Sequence, residues 1–413
     1  MVSSLAINKL FAIYFGGTGI ALLAHLQNLM GMVTLVSTEG IQRGLTKYLS
    51  DETIEIEAKK QFLGAGLIWI LSVFVAASLL ISRFDTIFLV PFLGERHPVV
   101  SYLIFMSSLL GQLLYLTGTT LLLIQKRMSD YVMATLYGGL IAVLAVSVTA
   151  TAGNLHVALL AFAIGQAVPL LAVAAIFLRI RLRNQLPPWL SENVSFSPQS
   201  FSALGGFAGV ALSILLFGNV VNFYVRGLAI REFGAETAGL WQALVKLSGS
   251  YGQVFTAMIS IAFFPKLSEK IADKKATVDF IKQNALLWTP IIAGGLLIVY
   301  FLRNYLISWL FSVEFVPAGA LILPQLAGDF FNLSSYFLAY WLLAEARIIT
   351  FIITQAISAA VYVASIYLLL PFLGILTFPT AYAIQSFVYI LVLAGIFLKA
   401  VTENQSVMKE QEN

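Results

Sequence analysis

The chain of 413 residues has no cysteine, three histidines and only 11% charged residues. The missing thiols exclude disulfides, iron–sulfur clusters and thiolate metal sites. His25, His97 and His156 are far apart and show no ligand spacing, so neither a metal centre nor a cofactor is expected. The dipeptide Gly-Lys does not occur, which removes the phosphate-binding loop of an ATP-hydrolysing pump. Soluble chains carry about 25% charge, so a soluble enzyme, a nucleic-acid-binding domain and a disordered chain are excluded as well. What is present is apolar: 59% hydrophobic residues and a mean hydropathy of +0.90. Such a chain belongs in a bilayer. Its net charge of +4 says little, because in membrane proteins the placement of Lys and Arg matters more than their sum.

Crossing the hydrocarbon core takes about 20 apolar residues. Charge-free windows of that length or more occur at 61–82, 98–125, 131–178, 283–302 and 348–398. The third and fifth are long enough for two spans each, divided near Gly153 and Pro371. Further spans are expected over 193–225, over 237–264 around Lys246, and over 318–344 around Asp329. Residues 10–38 are interrupted by Phe15-Gly16-Gly17-Thr18-Gly19, giving the end of a first helix and a complete second. The reading is an all-α integral membrane protein of about twelve transmembrane helices. The stretch before Gly16 is too short to cross, so the first helix is expected to be partial or its start truncated.

Alternating the spans from a cytoplasmic N-terminus puts most of the 24 Lys and Arg on one side. Arg83, Arg96, Arg226, Arg231 and Arg303 fall opposite, and Lys9 and Lys246 fall within spans. The positive-inside rule then places both termini in the cytoplasm.

The halves echo each other at about 220 residues. Phe15-Gly16 resembles Phe233-Gly234, Lys47 recurs as Lys266, Arg83 as Arg303, Glu95 as Glu314, Pro98 as Pro317, Arg127 as Arg347 and Arg179 as Lys399. Each repeat holds six spans, an even number, so both insert the same way up. Parallel repeats of this kind place a substrate path between two lobes. The expected division is an N-terminal lobe at 1–190, a C-terminal lobe at 191–400 and a disordered cytoplasmic tail at 401–413, the lobes enclosing a central cavity.

Ionisable groups inside spans are costly and face a cavity or a partner. Gln242, Lys246, Gly249 and Gln253 share one helix face; Gln325, Asp329, Asn332 and Tyr336 share another; Asn219, Asn222 and Arg226 form a third. Bland readings stand beside the functional one. Arg226 can snorkel to headgroups. Lys246 can pair with Asp329, or Asp329 can accept from backbone amides near Gly328. His25 can be an interhelical donor, and the carboxamides can bond helices together. The inventory of Lys9, Lys246 and Arg226 against Asp329 nevertheless favours an anionic substrate, with Lys a point charge and Arg a fork for phosphate.

The segments Gly40-Ile41-x-x-Gly44-x-x-Lys47-Tyr48, Gly239-Leu240-Trp241-Gln242-Ala243-x-x-Lys246-x-Ser248, Pro265-Lys266-Leu267-Ser268-Glu269 and Gly328-Asp329-Phe330-Phe331 resemble the O-antigen flippase family. That family lies in the multidrug/oligosaccharidyl-lipid/polysaccharide exporter superfamily, close to the enterobacterial common antigen lipid carrier flippases. The resemblance runs from about Ile7 to Leu398. It implies a translocase for undecaprenyl-pyrophosphate-linked oligosaccharide in a bacterial inner membrane, working by alternating access amid membrane lipids. Lys246, Arg226, Lys9, Gln242, Asn222 and His25 are then candidates for the pyrophosphate and glycan cavity. Asp329 is the candidate for coupling to a proton or sodium ion. A polysaccharide polymerase and chain-length proteins are the expected protein partners. Two departures stand out: the family commonly has Lys where this chain has Asn332, and an acid where it has Gly249. Rival readings are an ion-coupled multidrug or small-solute antiporter, of the same or the major facilitator architecture, and a glycan-processing membrane enzyme. The GxxxDRxGRR-type loop of the major facilitator class is missing. The outer segments of about 15 residues leave little room for a catalytic loop, so an enzyme is not expected.

Overall fold

A computed structural model describes residues 2–51, 53–94, 99–191, 194–271, 273–345 and 347–411. The repeat markers Glu95 and Pro98, together with Arg96 and His97, lie outside these residues. The described chain is built from helices, with no strand. The principal ones are α1 (Val2–Thr34), α2 (Gly40–Ser50), α3 (Ile56–Arg83), α4 (Val99–Ile124), α5 (Met128–Thr151), α6 (Leu155–Ala167) and α7 (Pro169–Leu182). They continue as α8 (Pro198–Ile214), α9 (Val221–Met258), α10 (Phe264–Lys270), α11 (Lys274–Leu310), α12 (Ile322–Ala344), α13 (Ile348–Leu373) and α14 (Thr377–Gln411).

Eight helical stretches of the described residues are long and apolar enough to cross a membrane. Three of them, Ser3–Ser50, Ala211–Met258 and Ile348–Thr402, run for 48, 48 and 55 residues. At 1.5 Å per residue each is roughly twice the thickness of a bilayer core of about 30 Å. Each also contains a break. Gly16 (φ 58°) interrupts α1, Gly234 (φ 77°) interrupts α9, and Gly374 (φ 54°) separates α13 from α14. A positive φ is strained for any residue with a Cβ, so glycine marks these turning points. Counted as double crossings, and with α12 added, the eight stretches give the twelve passes read from the sequence. Leu286, Phe301 and Phe372 are at least three-quarters exposed, as befits side chains that face lipid rather than water.

The chain divides into two compact units. The first is Met1–Phe15 with Leu22–Phe223, and the second is Gly16–Ala21 with Tyr224–Asn413. The first unit ends at Phe223. The physical reason is that α8 packs on α2 and α3, with the ring of Trp69 5.3 Å from that of Phe201. In the first unit small residues let helices approach closely, as expected where lipid removes the hydrophobic drive to associate. A Cβ on Gly165 would meet Ala142 at 2.8 Å, and one on Gly111 would meet Ala167 at 2.8 Å. The second unit is closed by large rings: Phe263 lies 5.1 Å from Phe337, and Trp341 5.0 Å from Phe397. Helix α14 runs on to Gln411. No Gly or Pro follows Gly395 to stop it.

Candidate functional site

The polar groups of the second unit gather on two faces of α9. Gly234 is decisive for the first face. Arg226 and Gln242 are 16 residues apart, which in a straight helix would be about 24 Å. The break at Gly234 folds the two arms so that Arg226 Nε donates to Gln242 Oε1 at 2.9 Å. Gln242 is 1% exposed, and its Nε2 has no partner among the described residues. Lys246 follows one turn later on the same face, close enough to Arg226 for the two charges to repel. Tyr362, also buried, lies within electrostatic range of Arg226. Arg226 therefore turns into the unit rather than snorkelling to headgroups.

The second face belongs to Asp329, which is 4% exposed. Its Oδ2 accepts from Ser248 Oγ at 2.7 Å and from the Tyr251 hydroxyl. Its Oδ1 accepts from the Tyr382 hydroxyl at 3.1 Å and from Gln325 Nε2 at 3.5 Å. Gln325 Nε2 also donates to Ser248 Oγ at 3.1 Å. Gly328 makes room for this shell, because a Cβ there would overlap the Tyr382 ring. Lys246 is not among the partners of Asp329. Ser248 lies two residues beyond Lys246, roughly 200° around a helix with 3.6 residues per turn. A lysine on one side of α9 cannot serve a carboxylate bonded to the other. The structural bridge considered from the sequence is thus replaced by a shell of neutral donors, and Asp329 takes no backbone amide.

A second acid, Glu236, carries no marker in the sequence pattern. In the second unit Glu236, just past the break, accepts from Gly17 N at 3.3 Å and from Thr18 N and Thr18 Oγ1 at 3.2 Å each. It caps the helical segment that restarts after Gly16, where backbone amides lack intrahelical partners. Gly17 and Gly239 touch so closely that a Cβ on either would collide with the other arm's backbone.

The remaining sequence candidates belong to the first unit. His25 is 3% exposed and stacks on Phe223 with ring centres 3.9 Å apart, so its ring is part of the packing. Lys9 and Asn222 are exposed. Of the six cavity candidates, the structure joins Arg226, Gln242 and Lys246. Ser248, Tyr251, Tyr362 and Tyr382 were missed. For Ser248 and Tyr251 a signal existed, since their i, i+3 spacing puts them on one face. Tyr362 and Tyr382 come from other helices, and no local pattern marks them. Among the described residues no group of three His, Asp or Glu could hold a metal ion.

No family profile matches the chain. It is 24% identical to the Lipid III flippase of Escherichia coli (strain K12) over 410 residues, spanning 96% of this chain and 94% of the relative. The same figures hold for the Lipid III flippase of Shigella flexneri. Among solved structures it resembles an inward-facing MATE-family multidrug resistance transporter of the MOP superfamily, with a TM-score of 0.79. Identity there is 12%, with 99% of this chain and 95% of the other covered. It also resembles the lipid II flippase MurJ in an inward closed conformation, with a TM-score of 0.65, 14% identity and coverage of 95% and 84%. These likenesses establish the fold. The chain is an all-α, multi-pass membrane protein with the architecture of these transporters.

Proposed function

We propose that the protein translocates undecaprenyl-pyrophosphate-linked oligosaccharide across a bacterial inner membrane, by alternating access, for O-antigen or a related surface polysaccharide. The observation that carries this reading is the Arg226–Gln242–Lys246 cluster, two cations near enough to repel, with Arg226 bonded to the buried Gln242 carboxamide. Like charges a few ångströms apart repel by roughly 2–4 kcal/mol at an effective dielectric near 20. A pyrophosphate lodged against both turns that repulsion into two attractions. The arginine fork and the lysine point charge suit its oxygens. A polyprenyl tail needs no passage, because it stays in lipid while the head crosses. Likeness to Lipid III flippases along nearly the whole chain supports the same substrate class. The protein works by binding and rearrangement, not by making or breaking bonds in its substrate. The Lys and Arg asymmetry puts both termini in the cytoplasm. Asp329 takes up the coupling ion, a proton or sodium, within its hydroxyl shell. A polysaccharide polymerase and chain-length proteins act on the product.

A second reading has one observation in its favour. The buried Asp329 shell would equally serve an ion-coupled antiporter of drugs or small solutes. Reconstitution in proteoliposomes separates the two. Under the first reading the protein moves fluorescent undecaprenyl-pyrophosphoryl glycan and leaves cationic dyes in place; Lys246→Ala abolishes that movement and Lys246→Arg retains part of it. Dye transport without glycan-lipid movement would refute the first reading.

A further inference from the structure

The first unit contains a cavity of about 390 Å³ that the cationic cluster does not use. Helices α1, α4, α5 and α6 contribute to its wall, and its size is that of an ordinary small-molecule site. Its chemistry is neutral: the lining includes no Asp, Glu, Lys, Arg or His. Gln27, Gln112, Gln166 and Tyr115 supply the polar groups, and Phe162 adds a ring. The Gln112 carboxamide does more than join helices. Gln112 Oε1 is buried without a hydrogen-bond partner among the described residues. Buried polar groups are normally satisfied, and inside a bilayer an open acceptor calls for a ligand or water.

We propose that this cavity binds the sugar portion of the lipid-linked substrate, an inference that rests on the translocase reading above. Each carboxamide offers a donor and an acceptor side by side, the complement of neighbouring hydroxyls on a pyranose ring. Tyr115 adds a hydroxyl, and Phe162 offers an apolar face. A phosphate would find no cation here, and a cationic drug no acid.

Gly31 makes the proposal testable. It lines the cavity, and a Cβ built on it meets no atom within 4 Å. Gly31→Phe puts a ring into the space that this Cβ position opens onto, whereas Gly31→Ala adds a single methyl. The probes are undecaprenyl-pyrophosphoryl-N-acetylglucosamine, undecaprenyl pyrophosphate without sugar, and free N-acetylglucosamine oligomers. All are titrated against the full-length protein in detergent with thermal stabilisation as the readout. The wild type should bind the sugar-bearing carrier at least tenfold more tightly than the bare one. Gly31→Phe should bring that ratio below twofold, and Gly31→Ala should keep it. Gln112→Leu with Gln166→Leu, which leaves cavity volume nearly unchanged, should lower the ratio as Gly31→Phe does. Equal affinity of the wild type for both carriers, or an unchanged ratio in both Gly31→Phe and the double glutamine variant, overturns the proposal. A wild type that binds neither carrier but is stabilised by the free sugar, with the effect lost in Gly31→Phe, keeps the sugar site and removes the translocase reading. Response to none of the three overturns both.

Discussion

A double-mutant cycle on Lys246 and Asp329 tests the arrangement of α9 most directly. Asp329→Ala removes the acceptor shared by Ser248, Tyr251, Tyr382 and Gln325. A hydrogen bond to a charged group is worth about 1.5–3 kcal/mol, and stranded donors add a penalty. Ser248, Tyr251 and Gln325 can partly re-pair among themselves, so the net loss is expected to be about 2–4 kcal/mol. Lys246→Ala removes a cation on the opposite face and relieves its repulsion with Arg226. Stability should change by less than ~1 kcal/mol, while glycan-lipid translocation fails. If the faces are independent, the double variant carries the sum of the two effects to within about 0.5 kcal/mol. A bridge predicts otherwise, since removing one partner of a buried pair costs about 3–5 kcal/mol and removing both restores much of it. The assay is thermal unfolding of the four proteins in one detergent, followed by fluorescence-detected size exclusion, with translocation measured in parallel. A double variant more stable than Asp329→Ala by over ~1 kcal/mol would refute the arrangement described here.

Three further outcomes are expected. Gly239→Ala drives a methyl into the Gly17 carbonyl, and overpacking of this kind costs about 1–3 kcal/mol or more. Folded yield should fall sharply, whereas Gly249→Ala, whose Cβ meets nothing within 4 Å, should express normally. Because the chain has no natural cysteine, single substitutions report topology: an impermeant maleimide added to intact cells should label Val313→Cys and spare Lys275→Cys, and the reverse pattern sinks the orientation. Asp329→Asn keeps a side chain of similar shape but removes the charge, so translocation should lose its dependence on a proton or sodium gradient; unchanged dependence in both gradients removes the coupling role.

Composition and periodicity alone settled the solvent and the architecture. A chain with 59% hydrophobic and 11% charged residues cannot fold in water as an ordinary globule. Gly16 already marked a break and Gly234 its counterpart in the repeat, and only a residue without a Cβ takes those backbone angles cheaply. The helical faces of Gln242 with Lys246, and of Gln325 with Asp329, were likewise legible from spacing. Spacing could not say what each face meets. Arg226 and Gln242 come together only because the chain folds back at Gly234. Asp329 received hydroxyls instead of Lys246 because a rotation of about 200° separates Lys246 from Ser248, while Tyr382 arrives from a helix 53 residues away. His25 meets Phe223 from a distant part of the chain, a stacking that spacing alone does not show. Local sequence fixes which side chains share a face. Partners across helices depend on helix rotation and close approach, which residues such as Gly328 and Tyr382 decide jointly and neither encodes alone.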